Sequence, residues 1–317
     1  MTNTSPSTTA PSTTVAIKID VDTYVGTRDG IPRLLEIFKT HGVRASFFAV
    51  LGPDNSGKAI RRVWTRRGFV GKMARTNPIK IYGLKTLLYG TLLPAPMTGL
   101  AFPDTLKRIV DAGHELGLHA YDHVEWQDFV SGWDERRTEE ELGRAVEAFS
   151  KATGGAPKAV AAPGWQATGH SLRVQDRLGL DYASDSRGTA PFYPSVEGTA
   201  FKTLQIPGTL PTVDELLGND GVNDANVASH LEKMVLEGRV NVYTGHAEIE
   251  GMYLAQPFSD LVGKLVARGC SFVTLRELAA SAKQDPATPV CRFADGLVPG
   301  RAGPVACQGA VVGGESR

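Results

Sequence analysis

Asp20-Val21-Asp22 closes a short apolar run, with its two carboxylates two positions apart. In extended chain such residues project to one side. Two carboxylates held together repel unless a cation or a proton lies between them. Taken alone, the pair could equally cap the helix that the pattern predicts from Ile31. His119 and His123 have a spacing that lets two imidazoles converge on one ion, from a helical turn or a tight loop. Two histidines and one carboxylate hold a metal while leaving positions open for water and substrate. His246 follows the apolar run VNVYT and precedes Glu248 and Glu250. An imidazole there can hand a proton to a leaving amine near neutral pH. Asp185 could hydrogen-bond it and keep it protonated, or could be a turn residue before Gly188.

The elements that must position these side chains are short and alternate in type. Apolar runs at 15–19, 45–50, 116–119, 159–163, 182–185, 204–207, 240–244 and 270–275 predict strands. Helical patterns lie between them at 31–41, 104–112, 135–152, 169–178, 226–237 and 258–268. Short apolar strands separated by helices indicate an α/β fold with a parallel sheet and crossover helices. Seven or eight such units favour a closed β/α barrel. Barrel enzymes assemble their sites from the C-terminal ends of several strands, and the candidate residues fall at such ends. His114 precedes its strand, so it is expected at the opposite end, in a structural role.

The 317-residue chain is 42% hydrophobic, 21% charged and formally neutral. It can bury a large core, and no global charge points to nucleic acid. Cys270, Cys291 and Cys307 lack the spacing of a disulfide framework or a cysteine zinc site. The first 14 residues are rich in Ser, Thr and Pro without an apolar secretory core. They are expected to be disordered. The ordered domain is expected over 15–282, with residues 283–317, rich in Ala, Gly and Pro, as a loose tail. No apolar run is long enough to span a bilayer, so the expected location is the cytoplasm.

An insertion at 52–103 interrupts the pattern. Between Asp54 and Asp104 it holds no acidic residue and nine basic ones, interleaved with Trp64, Phe69, Tyr82, Leu84 and Tyr89. It follows the second strand and should rise on the active face. A solvated surface excursion is the plain reading. The favoured one is an interfacial lid, with basic residues meeting anionic headgroups and apolar ones entering the headgroup boundary.

The order Asp20-x-Asp22, His119-xxx-His123, Pro163-Gly164-Trp165, Asp185 and His246 resembles the polysaccharide deacetylase (NodB-like) superfamily, carbohydrate esterase family 4. The stretches IDVDTYVGTRDGIPRLLEI, GLHAYDHVEWQ, QIPGTLPTVDELLG and YTGHAEIEG resemble its deformylases of 4-deoxy-4-formamido-L-arabinose carried on undecaprenyl phosphate. The resemblance implies a deformed (β/α)7-type barrel. It also implies a divalent cation (zinc, manganese, cobalt or nickel) on Asp22, His119 and His123. Asp20 would be the general base, and His246 the general acid tuned by Asp185. Pro163, Gly164 and Trp165 would form a groove wall, with Glu248 near the sugar. The implied setting is lipid A and lipopolysaccharide modification, which underlies resistance to cationic peptides and polymyxin. The implied location is peripheral, on the inner face of the inner membrane. Ala161 stands where many members have an arginine beside the base, and Arg187 is the expected substitute. The alternatives are an N-deacetylase of another sugar and a non-catalytic sugar-lipid binding protein.

Overall fold

The structure is a computed structural model that describes residues 13–61 and 78–313. Its strands, numbered along the chain, form two sheets. The main sheet contains β1 (Thr14–Val21), β2 (Ser46–Ala49), β3 (Glu115–Leu118), β4 (Ala159–Val160) and β5 (Tyr182–Ala183). It continues with β8 (Leu204–Gln205), β9 (Val240–His246) and β10 (Ser271–Val273). All of its pairings are parallel. β9 runs along one edge of β1, while β10 and β2 share the other edge, beside its first and second halves. The positions around the sheet are therefore β9, β1, β2, β3, β4, β5 and β8. The curl nearly closes where Thr209 and Leu210, just past β8, donate to the carbonyl of Val242 on β9. The expected deformed barrel is what forms.

Crossover helices cover the outside, among them Ile31–His41, Glu135–Thr153, Gly169–Leu178 and Ala255–Ala267. Their ends follow local rules. Asp134 caps the first turn of Glu135–Thr153 by accepting from the Arg137 amide, and Gly154 ends that helix at φ 80°. The core lies between sheet and helices: Ile17, Ile19, Phe38, Phe47, Leu106 and Leu118 are each at most 2% exposed.

The expected loose tail at 283–317 is corrected. The helix Leu275–Gln284 runs into it, and β11 (Val290–Gly296) and β12 (Val305–Val311) form an antiparallel hairpin. This hairpin joins β6 (Tyr193–Val196) and β7 (Thr199–Ala200) in the second sheet, in the order β12-β11-β6-β7. Cys291, Phe293, Val305 and Ala306 are buried there, the first two and Ala306 with Leu172, Phe192 and Phe201. Each large apolar side chain so covered contributes roughly 1.5–3 kcal/mol. Of the Gly- and Pro-rich stretches that suggested a tail, 297–304 is the hairpin connection, while Pro286 and Pro289 precede β11. At the other end Thr14 already belongs to β1, whereas residues 1–12 lie outside the described residues. So do 62–77, and with them Trp64 and Phe69 of the insertion.

Candidate active site

β1 emerges with an alternating pattern. Val15, Ile17, Ile19 and Val21 share one face, and Ala16, Lys18, Asp20 and Asp22 share the other. β3 ends at Leu118, and the chain then turns sharply, with Ala120 at φ 68°. A left-handed conformation at a residue other than glycine costs about 1–2 kcal/mol and is typically held at functional sites. The turn delivers His123 to the start of the helix His123–Phe129, whose first amides are capped by Asp122. His119 and His123 thereby face Asp22 together.

One oxygen of Asp22 and one ring nitrogen each of His119 and His123 lie within 4.8 Å of one another. His119 Nε2 is 3.3 Å from Asp22 Oδ1, and His123 Nε2 is 3.3 Å from Asp22 Oδ2. The other His119 nitrogen, Nδ1, is 2.7 Å from the carbonyl of Ala161 and donates to it, which leaves Nε2 turned toward Asp22. Asp22 Oδ1 is buried with no hydrogen-bond partner. Two nitrogens and an orphaned carboxylate oxygen make a donor set that suits a divalent cation. Burial pushes the Asp22 carboxyl up, but His123, His119 and His246 outweigh burial and hold it well below the usual carboxylate range. For His119, burial favours the neutral ring; Asp20 and Asp22 reverse that and raise its pKa.

Asp20 is 5% exposed. Its Oδ2 lies 3.2 Å from the Lys18 ammonium, and its Oδ1 has no hydrogen-bond partner. β9 brings His246 directly alongside, in register with Asp20. The main-chain N–H of His246 donates to Glu250 Oε2 at 2.6 Å, and Glu250 Oε1 accepts from the Tyr243 hydroxyl at 2.5 Å. His246 Nδ1 has no protein partner. Glu250 thus fixes the end of the strand. Glu248 differs, because it is fully buried and neither of its oxygens has a partner. Burial first, and then the charge of Asp22, push its carboxyl well above the ordinary range.

Two expectations are corrected. Asp185 does not hydrogen-bond His246 among the described residues: Gln175 and Gln205 donate to its Oδ2 at 2.7 and 3.3 Å. Arg187 does not replace the missing arginine. Its guanidinium is taken up by Glu215 at 2.7 and 2.9 Å and by the carbonyls of Leu210 and Gly208. Lys18 touches Asp20 instead, from the same strand. The signal was present in the alternation of IKIDVD, where a lysine shares the inward face with both aspartates.

Pro163-Gly164-Trp165 forms a tight turn after β4. Gly164 adopts φ 59°, and a Cβ there would meet Gln127 Nε2 at 2.3 Å, so only glycine fits. Trp165 is 3% exposed, and its ring is flanked by Lys18, Arg187 and Arg301 at 5.5, 4.9 and 4.9 Å. It packs between cations, and Arg301 comes from the hairpin that the sequence left as tail.

The polysaccharide deacetylase family profile matches residues 7–183. A Shewanella sediminis protein named as a 4-deoxy-4-formamido-L-arabinose-phosphoundecaprenol deformylase is 41% identical over 266 residues, 84% of this chain and 86% of its own. A Wigglesworthia glossinidia brevipalpis protein of the same name is 31% identical over 91% of this chain and its whole length. Among solved structures, one from Mycobacterium smegmatis assigned to the polysaccharide deacetylases superposes with a TM-score of 0.58 at 19% identity. It covers 90% of this chain and 95% of its own. A Bacillus anthracis pseudoenzyme of carbohydrate esterase family 4 gives 0.51 at 15% identity, covering 86% and 66%. These structural likenesses carry the fold alone, whereas the profile match and the two sequence relatives establish that the chain belongs to the polysaccharide deacetylase family.

Proposed function

We propose that this protein is a metal-dependent amide hydrolase that removes the formyl group from 4-deoxy-4-formamido-L-arabinose carried on undecaprenyl phosphate. The observation that carries the reading is the gathering of Asp22, His119 and His123 within 4.8 Å, beside an aspartate and a histidine that each keep a buried polar atom unpartnered. The relatives' names supply the substrate. Asp22, His119 and His123 would hold a divalent cation, which when bound supplies Lewis acidity to the amide carbonyl and to a water molecule.

The chain's own residues account for the proton movements. Asp20 takes the proton of the attacking water at Oδ1, since Oδ2 is committed to Lys18. His246 returns a proton to the sugar nitrogen as the C–N bond breaks, and formate and the amino sugar leave. Its main chain is anchored by Glu250, so the ring is presented from a fixed strand end. General acid–base assistance of this kind is worth about 10²–10⁴-fold in rate. Glu248, with both oxygens uncommitted, is the side chain available to meet a hydroxyl of the sugar once the site rearranges around substrate. Pro163, Gly164 and Trp165 hold the wall behind Lys18.

A membrane-borne substrate requires access to a lipid surface. No described helix is long and apolar enough to cross a membrane. The segment Pro78–Thr86, broken at Gly83, packs against the turn Ile249–Tyr253 that follows His246, so it stands at the mouth of the site. Ile79, Leu84 and Leu92 are 58%, 60% and 80% exposed there. This part of the insertion is the surface we assign to the anionic inner face of the inner membrane. The deciding experiment incubates purified protein with the formamido-arabinose phospholipid and measures formate with and without a chelator. Chelator-sensitive formate release is expected; metal-replete protein that releases none overturns the reading.

A further inference from the structure

Lys18 is fully buried, in the middle of the inward face of β1. An ammonium without water is costly: the effective penalty is several kcal/mol even after relaxation, unless it is paired and its donors are used. Here Nζ lies 3.2 Å from Asp20 Oδ2 and donates to the carbonyl of Ser184 at 3.2 Å. The rings of Phe48 and Trp165 flank it at 5.7 and 5.5 Å. Two opposed anchors, a carboxylate on its own strand and a carbonyl just past β5, fix the ammonium in space. Because Lys18 and Asp20 are two apart on one strand, fixing the ammonium also fixes the rotation of the carboxylate. The consequence is visible at Asp20, whose Oδ2 is engaged and whose Oδ1 is left without a hydrogen bond, 3.9 Å from His119 Nδ1.

We infer that Lys18 is a positioning residue for the reaction: it selects which oxygen of Asp20 is engaged and presents the other to the attacking water. A purely structural ion pair could be replaced by apolar groups at little cost. Burial raises the pKa of the Asp185 carboxyl and the Lys18 charge acts against that rise, but Asp185 already accepts from Gln175 and Gln205, whereas Lys18 lies 3.2 Å from Asp20 Oδ2. The inference rests on the reading of Asp20 as base. It goes beyond that reading by naming the group that aims the base in a chain with alanine at position 161.

The test is a double-mutant cycle on the full-length, metal-loaded protein, with Lys18→Met, Asp20→Asn, the double variant and Lys18→Arg. Formate release, metal content and thermal midpoint are measured for each. Lys18→Met is expected to lower kcat by about 10²-fold, the scale of a misplaced catalytic group, with KM within about threefold and metal content unchanged. Lys18→Arg, which keeps the charge and the donors, should recover most of that loss. In the Asp20→Asn background, Lys18→Met should cost little further rate and should raise the thermal midpoint relative to Lys18→Met alone, because the buried Asp20 carboxylate is no longer left without its cation. The midpoint comparison also reads the coupling should Lys18→Met prove too unstable to assay. Full turnover in Lys18→Met with Asp20→Asn inactive overturns the positioning role and leaves the hydrolase reading standing. Full turnover in Asp20→Asn overturns the base assignment itself. Rate losses that simply add in the double variant would show Lys18 acting independently of Asp20, contrary to the inference.

Discussion

The site separates two tasks between neighbouring residues. Asp22 meets the Nε2 atoms of both imidazoles, while Asp20, two positions earlier, has one oxygen against Lys18 and the other 3.9 Å from His119 Nδ1. The same division appears at the other strand end, where Glu250 is consumed in holding His246 and Glu248 keeps both oxygens uncommitted. Substitutions should therefore split metal binding from turnover. His246→Ala is expected to lower kcat by about 10²–10⁴-fold while metal content, read by elemental analysis, stays at the wild-type level. Asp22→Ala should lose both. The opposite pattern, metal lost with His246 and retained without Asp22, would reverse the roles. At this scale the sequence was legible for the proposed ligands Asp22, His119 and His123, which the structure brings within 4.8 Å of one another. It was misleading for Asp185 and Arg187, because a polar residue at a strand end has several partners within reach and only the packed structure chooses among them.

Two of these elements, β1 and β9, carry most of the site, and their exits are pressed together. Gly30, ending the π-helical turn Gly26–Gly30, lies so close to the strand end that a Cβ would come within 2.2 Å of the Ala247 carbonyl oxygen. Gly251 makes the reciprocal approach, with a Cβ 2.6 Å from the carbonyl oxygen of Gly30. This contact ties the loop after Asp22 to the loop after His246. Gly30→Ala should therefore cost at least the 1–3 kcal/mol typical of overpacking and weaken metal binding. Gly132→Ala, where a Cβ meets open space, should leave the thermal midpoint near wild type. Equal melting of the two variants would show that the approach is not needed.

The opposite end of the barrel is governed by His114. Its Nδ1 accepts from the Ala45 amide, and its ring lies against Phe38 and Phe47. Burial, helped by Arg44, pulls its pKa down to about 4 from an ordinary 6.5. The unfolded chain then binds the extra proton first on acidification, so His114 contributes stability above about pH 6.5. That contribution is lost as the pH falls toward 4. Denaturant midpoints measured across this window should fall for the wild type and fall less for His114→Phe.

For the whole molecule, the segment Pro78–Thr86 packs against the turn Ile249–Tyr253, and the C-terminal hairpin packs against the turn Pro163–Trp165. Arg301 of the hairpin connection reaches Trp165 beside Lys18, so truncation after residue 289 would unseat the wall on which Lys18 rests. The exposed apolar residues at 79, 84 and 92 are the face proposed above for lipid. Replacing Ile79, Leu84 and Leu92 with Ser should lower binding to anionic vesicles in a flotation assay while leaving the fold intact by circular dichroism. Equal binding of the wild type to neutral and anionic vesicles would remove the basic residues from the account.

The sequence by itself determined the parallel strand-helix alternation, because period is a local property that survives without coordinates. It offered the two histidines and the paired aspartates as candidates, with the choice of Asp22 as a ligand implied by the family resemblance. It also carried the lysine beside the two aspartates, though a single charge within an apolar run has no meaning until its strand acquires neighbours. The tertiary structure decided which groups face each other. It gave Asp20 to Lys18 and Arg187 to Glu215, and turned a Gly- and Pro-rich tail into two paired strands. The Arg187–Glu215 pair spans 28 positions, and other contacts around it span more than a hundred, such as Lys18 with Ser184 and Trp165 with Arg301, and desolvation on burial makes each choice of partner decisive.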